Sequence, residues 1–282
     1  MNVVPGTPLV AIMQGRLSPP VDGQLQAFPA STWAAEFSLA AEAGLDAIEW
    51  IFASDNDPLL SPPGLQQASD LMTASGVRVL SICADYFMDA PLLGASGATL
   101  RDRLNVLKSL LSISRALGGR HIVLPFVDQS AIRGRHDAEV LRDLLGTVSG
   151  DAVAIGVELH LETSLGPEEF ASLLDGLPSI IRANYDSGNS AALGYDVREE
   201  FAAYGQRVGS VHIKDRLRGA GSVPLGTGNA DFAALFDSLA RVAYSGLFTL
   251  QVARGPVGSE VSLARQNRVF VLRHLGETLS PQ

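Results

Sequence analysis

Apolar and polar residues follow two alternating rhythms along this chain. Short apolar runs, β-rich and four to eight residues long, predict strands at Leu9–Met13, Ala47–Phe52, Arg78–Cys83, His121–Pro125, Ile155–Glu162, Ile181–Asp186, Arg207–His212 and Leu247–Gln251. Between them, apolar positions recur with a period near 3.6 and predict helices at Thr32–Ala43, Leu65–Ser75, Thr99–Leu117, Ala138–Ser149, Pro167–Leu174, Val197–Tyr204, Phe232–Val242 and Glu260–Leu275. Gly44, Gly76 and Gly118 stand where helices end, and Pro167 with Glu168 and Glu169 makes a helix start. Eight strand–helix units without a composition break predict one closed (β/α)8 barrel over residues 1–282. A doubly wound open sheet is the alternative, but no G-x-G-x-x-G turn follows the first strand. The long connections, Asp22 to Pro29 and Gly219 to Asn229, both follow strands and so belong to the catalytic face of a barrel.

Composition narrows the class. The 282 residues are 46% hydrophobic and 18% charged, and the mean hydropathy is positive, which suits strands covered on both faces. A formal charge of −9 argues against a broad nucleic-acid footprint, yet local basic groups can still hold a small anion. Cys83 is the single cysteine, so a disulfide framework or a multi-cysteine zinc site is excluded, and a buried thiol is expected. No basic leader precedes Val10–Met13 and no apolar run approaches a membrane span, so the expected compartment is the cytoplasm, with no membrane partner.

Why, then, do ionisable groups close the greasiest segments? In a barrel the C-terminal strand ends converge on one pocket. Those ends carry Gln14 and Arg16, Glu49, Cys83 and Asp85, Glu162, Asp186, His212 and Gln251. Glu, Asp, His and an amide on consecutive strands form an oxygen-rich set with one imidazole. Such a set suits one hard or borderline divalent cation, Mn²⁺ or Mg²⁺, as the cofactor.

Four stretches then carry a resemblance. The run Gly156-Val157-x-Leu159-x-Leu161-Glu162, the run Tyr185-Asp186-Ser187-Gly188-Asn189, the run Val211-His212-Ile213-Lys214-Asp215 and the loop Val223-Pro224-Leu225-Gly226-Thr227-Gly228-Asn229 to Asp231-Phe232 occur in order. Together they resemble the xylose-isomerase-like TIM barrel superfamily of sugar isomerases and epimerases, including pentulose-phosphate 3-epimerases. The resemblance implies that Glu162, Asp186 and His212 are metal ligands, with Gln251 at the fourth ligand position. Two departures stand out. Gln251 replaces a glutamate that doubles as a base in two-base epimerases, and Asn189 replaces the histidine of the family's sixth-strand pattern. An amide oxygen can coordinate, but it cannot abstract a proton.

The reaction this implies is isomerisation or epimerisation of a sugar or sugar phosphate through an enediolate. Glu162 is the expected proton shuttle, and Lys214 or His160 could supply a second proton. His160 shares a strand face with Glu162 and Glu158, where a paired interior histidine is the simpler reading. Arg16, Lys214, Arg216 and Arg254 follow the first, seventh and eighth strands and make a cationic rim for a phosphate or carboxylate; pairing with Asp85 and Asp215 is the alternative. Glu49 is expected to meet a sugar hydroxyl, with a structural pair as the alternative, and Asn189 to contact substrate. A dehydratase using the same enolate, or a sugar-binding relic without activity, remains open. An abasic-site endonuclease does not: five histidines, one of them at a matching ligand position, cannot build a multi-zinc cluster. The expected partner is a small sugar or sugar phosphate, and the sequence leaves a homo-oligomer open.

Overall fold

The computed structural model describes residues 8–279. Both ends of the expected single domain, residues 1–7 and 280–282, lie outside the described residues, as does most of the segment in which no leader is expected. Eight parallel strands close into a barrel in sequence order, the first pairing with both the second and the eighth. They are Leu9–Met13, Ala47–Ile51, Arg78–Cys83, His121–Phe126, Glu158–Thr163, Ile181–Asp186, Val208–Ile213 and Leu247–Leu250. A two-residue antiparallel ribbon, Asp215–Arg216 with Ser222–Val223, folds over the seventh strand's connection. No described helix is long and apolar enough to cross a membrane.

Several elements differ from the pattern in the sequence. The fifth strand begins at Glu158, because the preceding helix runs Arg135–Ile155 and Gly156, at φ 76°, ends it in a left-handed turn. That conformation is cheap only for glycine. The first helix starts at Glu36, after a series of turns. A short extra helix, Ser187–Leu193, follows the sixth strand directly.

Alternation along each strand sorts side chains into two environments. Outward residues such as Ile48, Trp50, Leu159, Leu161, Val211 and Leu250 join the helices in the main core. Inside the barrel the two halves differ in character. The first four strands contribute apolar layers, Leu9, Ala11, Ala47 and Leu80 with Leu247 below, and Met13, Ile51, Cys83 and Val123 above. The later strands contribute Glu158, His160, Glu162, Asn184, Asp186, Ser210, His212 and Thr249, most of them buried. Glu49, Ser81 and His121 of the earlier strands join this set, so polar groups meet across the lumen and each must find a partner there.

Gly209 shows how tightly that lumen is filled. The register slips by one residue on the seventh strand between the pairs Ala183–Val208 and Asn184–Ser210, which leaves Gly209 as the extra residue. A Cβ there would stand 2.5 Å from Cε1 and Nε2 of His160. Gly209→Ala must displace that buried ring and should lower stability by about 1–3 kcal/mol, the range for overpacked interiors. Urea denaturation measures this; an unchanged midpoint would mean that the ring has room to move.

Candidate active site

At the C-terminal face the strand ends surround a cavity of about 460 Å³. Donor atoms of Glu162, Asp186 and His212 lie within 4.8 Å of one another at its floor, all three residues buried. Glu162 is held from both sides: Asn189 Nδ2 donates to Oε1 at 2.7 Å and Asn184 Nδ2 to Oε2 at 3.2 Å. Asp186 divides its oxygens. Oδ1 accepts the backbone N–H groups of Gly188 and Asn189, both at 2.8 Å, and so caps the helix Ser187–Leu193. Oδ2 is left facing Lys214 Nζ at 3.4 Å.

His212 is clamped between two carboxylates. Its Nε2 lies 2.7 Å from Glu49 Oε1, and its Nδ1 lies 3.2 Å from Glu162 Oε2. Burial resists charging the ring, but the carboxylates outweigh it and hold the imidazole proton well above the ordinary histidine range. Burial likewise opposes charge on Glu49, yet His212, His121 and the Ser81 hydroxyl keep its carboxyl below the usual value. His212 Nδ1 is nonetheless a buried nitrogen without a hydrogen bond of proper geometry. An unsatisfied imidazole nitrogen beside two carboxylates suits a divalent cation, and the amide oxygen of Gln251 fits the same hard-donor preference.

Gln251 Oε1 accepts from Lys214 Nζ at 3.1 Å, while its Nε2 donates to Gln26 Oε1 at 3.0 Å. The lysine ammonium thus rests on the open oxygens of Asp186, Asn189 and Gln251. Arg216 Nη1 donates to Asn189 Oδ1 at 2.9 Å, and Arg216 lines the cavity with Arg16 and Lys214. Arg16 is buried, bound to the carbonyls of Val252 and Leu25 and to Gln26; desolvation pushes its pKa down to about 10.

The contacts expected of Glu49 and Arg254 take a different form, while His160 is the paired interior histidine that its strand face suggests. Glu49 has no solvent exposure and serves His212, Ser81 and Thr249, so a sugar hydroxyl cannot reach it. A register shift between Ile48 and Glu49 accompanies this inward placement. His160 does not line the cavity. It sits toward the base of the lumen, between Ser210 Oγ at 2.8 Å and Glu158 Oε2 at 2.9 Å, stacked on His121 at 4.1 Å. Burial drives its pKa well down. Arg254 is spent on the carbonyls of Leu25 and Ser18 and does not line the cavity. Asp215 pairs with no arginine: its oxygens take the N–H groups of Gly226, Gly228 and Ala230, which fastens the glycine-rich loop over the seventh strand.

Two participants escape sequence reasoning. Asn184 lies two residues before Asp186, and the alternation that marks His160 also turns it inward. Gln26 has no local signal beyond its place in the long connection after the first strand.

A model of the xylose isomerase-like TIM barrel matches residues 37–270. The chain belongs to that family. It is 26% identical over 263 residues to an L-ribulose-5-phosphate 3-epimerase of Salmonella heidelberg (strain SL476), covering 85% of this chain and 90% of that protein. A solved L-ribulose 3-epimerase superposes with TM-score 0.77 at 19% identity over 96% of each chain. The IOLI protein, solved with a bound zinc atom, gives TM-score 0.77 at 14% identity, covering 97% of this chain and 100% of its own. The isomerase- or epimerase-like enzyme that the motifs imply is borne out by these relatives.

The loop carrying Arg16 depends on Glu36, whose carboxylate accepts Gly15 N–H at 2.9 Å and Leu17 N–H at 3.1 Å. Burial, against those bonds, raises its pKa from 4.5 to about 7. The folded protein therefore holds a proton that the unfolded chain releases, so this contribution to stability is full below pH 4.5 and declines toward pH 7. Glu36→Gln should flatten the fall by about 3 kcal/mol relative to wild type. Denaturation curves across that window test it, and parallel pH profiles for the two proteins would refute it.

Proposed function

We propose that this chain is a divalent-metal-dependent epimerase or isomerase of ketose phosphates, working through an enediolate. The observation that carries the reading is the buried Glu162–Asp186–His212 cluster on consecutive strand ends, beneath a cavity rimmed by Arg16, Lys214 and Arg216. The relative named for L-ribulose 5-phosphate supports the choice of a pentulose phosphate as the first substrate to try.

Glu162, Asp186, His212 and Gln251 would hold the cation, Mn²⁺ or Mg²⁺. Bound there, the ion would polarise adjacent carbonyl and hydroxyl oxygens of the sugar and acidify the C–H between them. The protein's part is positional. Asn184 and Asn189 fix the Glu162 carboxylate, which takes the carbon-bound proton and leaves the electron pair in the enediolate. Glu49 keeps the His212 ring oriented from behind. Lys214 offers a cation to the developing oxyanion, and Arg216 and Arg16 receive the phosphate at the cavity wall.

Addition of Mn²⁺ should raise the melting temperature of wild type, because a ligand confined to the native state stabilises it by mass action. Asp186→Ala should lose that rise. The metal-loaded enzyme should also exchange the C3 proton of L-ribulose 5-phosphate with D₂O, as read by NMR, and chelation should stop it. A variant that still responds to Mn²⁺ would remove Asp186 from the metal site; no exchange with any ketose phosphate would end the enediolate reading.

Arg216 is the cleaner probe of the phosphate, since Arg16 also ties its loop together. Arg216→Ala should raise KM for L-ribulose 5-phosphate more than for free L-ribulose, by about 1.5–3 kcal/mol, roughly ten- to a hundredfold. Equal changes for both sugars would show that Arg216 does not read the phosphate.

A further inference from the structure

Inverting a carbon through an enediolate takes a proton from one face and returns one to the other. Gln251, at the family's second-base position, has only an amide there, and His160 lies away from the cavity. Another titratable group on the cavity wall fits the task. Asp85 follows the third strand, which stands across the closed barrel from the seventh, and it lines the same cavity as Glu162, Lys214 and Gln251. Its two hydrogen-bond partners are neutral donors: Gln26 Nε2 at 2.8 Å to Oδ2 and Cys83 Sγ at 3.1 Å to Oδ1.

The link to Gln251 runs through Gln26. Gln251 Nε2 donates to Gln26 Oε1, and Gln26 Nε2 donates to Asp85. One bridging glutamine therefore joins the amide that replaces the family's base to a carboxyl elsewhere on the wall. Arg16 Nη2 also reaches Gln26 Oε1, at 3.3 Å, and fixes the bridge from a third side.

We propose that Asp85 is the second catalytic carboxyl of this site, acting on the face of the substrate carbon turned away from Glu162. Glu162 carboxylate takes the proton as the C–H bond breaks, and the pair enters the enediolate. Asp85, carrying a proton, gives it to the same carbon from the other side, a new C–H bond forms, and Asp85 is left ionised. The reverse reaction exchanges the two roles, and solvent resets both groups. Burial raises the Asp85 carboxyl, against the Gln26 and Cys83 donors, and the charges of Glu162 and Glu49 add to the rise, which is the direction a proton-giving group requires. The proposal rests on the enediolate reading above.

The test uses Mn²⁺-loaded enzyme and L-ribulose 5-phosphate in D₂O, with NMR counting deuterium in recovered substrate and in its C3 epimer. In Asp85→Asn, deuterium should still enter recovered substrate, while epimer formation falls at least a hundredfold; Asp85→Glu should restore part of it. Epimer made at the wild-type rate by Asp85→Asn overturns the proposal. So does equal loss of exchange and epimerisation in a variant of unchanged melting temperature, which would make Asp85 a binding group. Wild type itself supplies a measurement independent of any variant's folding. Its first-formed epimer should carry solvent deuterium, and epimer retaining the substrate's own proton would show one group serving both faces and overturn the assignment. Wild type that exchanges without inverting carbon 3 also overturns it, yet leaves the enediolate reading standing; wild type that does neither removes both.

Discussion

The contact between Glu49 and His212, 2.7 Å long and wholly buried, spans the barrel from the second strand to the seventh. Two charged groups withdrawn from water this far are stable only together, since either alone would be an uncompensated buried charge. Much of the lumen answers to that pairing. Ser81 and Thr249 satisfy the second oxygen of Glu49, and His121 Nε2 approaches it at 3.9 Å. On the far side, the ring's other nitrogen is directed at Glu162, whose oxygens are in turn held by Asn184 and Asn189. The orientation of the cluster is thus set from beneath, by a residue with no access to the cavity.

The amphipathic rhythm made the barrel readable, because period-2 and period-3.6 patterning survives wherever a strand packs under a helix. Glu162, Asp186 and His212 were readable for a related reason: a carboxylate or imidazole closing an apolar run has few uses except at a pocket. What failed was depth. Glu49 and Glu162 both read as strand ends in sequence. Glu49, however, stands in the middle of its run, before Trp50, Ile51 and Phe52, and projects into the lumen, whereas Glu162 lies near the end of its strand and reaches the cavity. Arg254 failed for another reason, since backbone carbonyls of neighbouring loops are acceptors that sequence does not display. Gln26 is held by Arg16 within its own connection and by Gln251 from 225 residues along the chain, and the second relation exists only because the barrel closes.

Substitution at one ligand position is commonly imagined as loss. Here the amide of Gln251 has two definite neighbours, accepting from an ammonium and donating to an amide. A carboxylate could not make the second of these bonds. The glutamine is integrated with Gln26, Arg16 and Lys214, and the first connection is anchored to the eighth strand through it.

Asp186 has a different kind of consequence. A seven-residue helix lies far below the length at which a helix persists by itself, so its order is borrowed from its cap and its packing. The cap is one oxygen of the same carboxylate whose other oxygen faces the cluster. Asn189, in the first turn of that helix, holds Glu162 with its side-chain nitrogen and receives Arg216 with its side-chain oxygen. Strain on Asp186 is thereby transmitted to a cavity-wall arginine through one helical turn. Floor and rim therefore share one short stretch of backbone, and neither can be repositioned without the other.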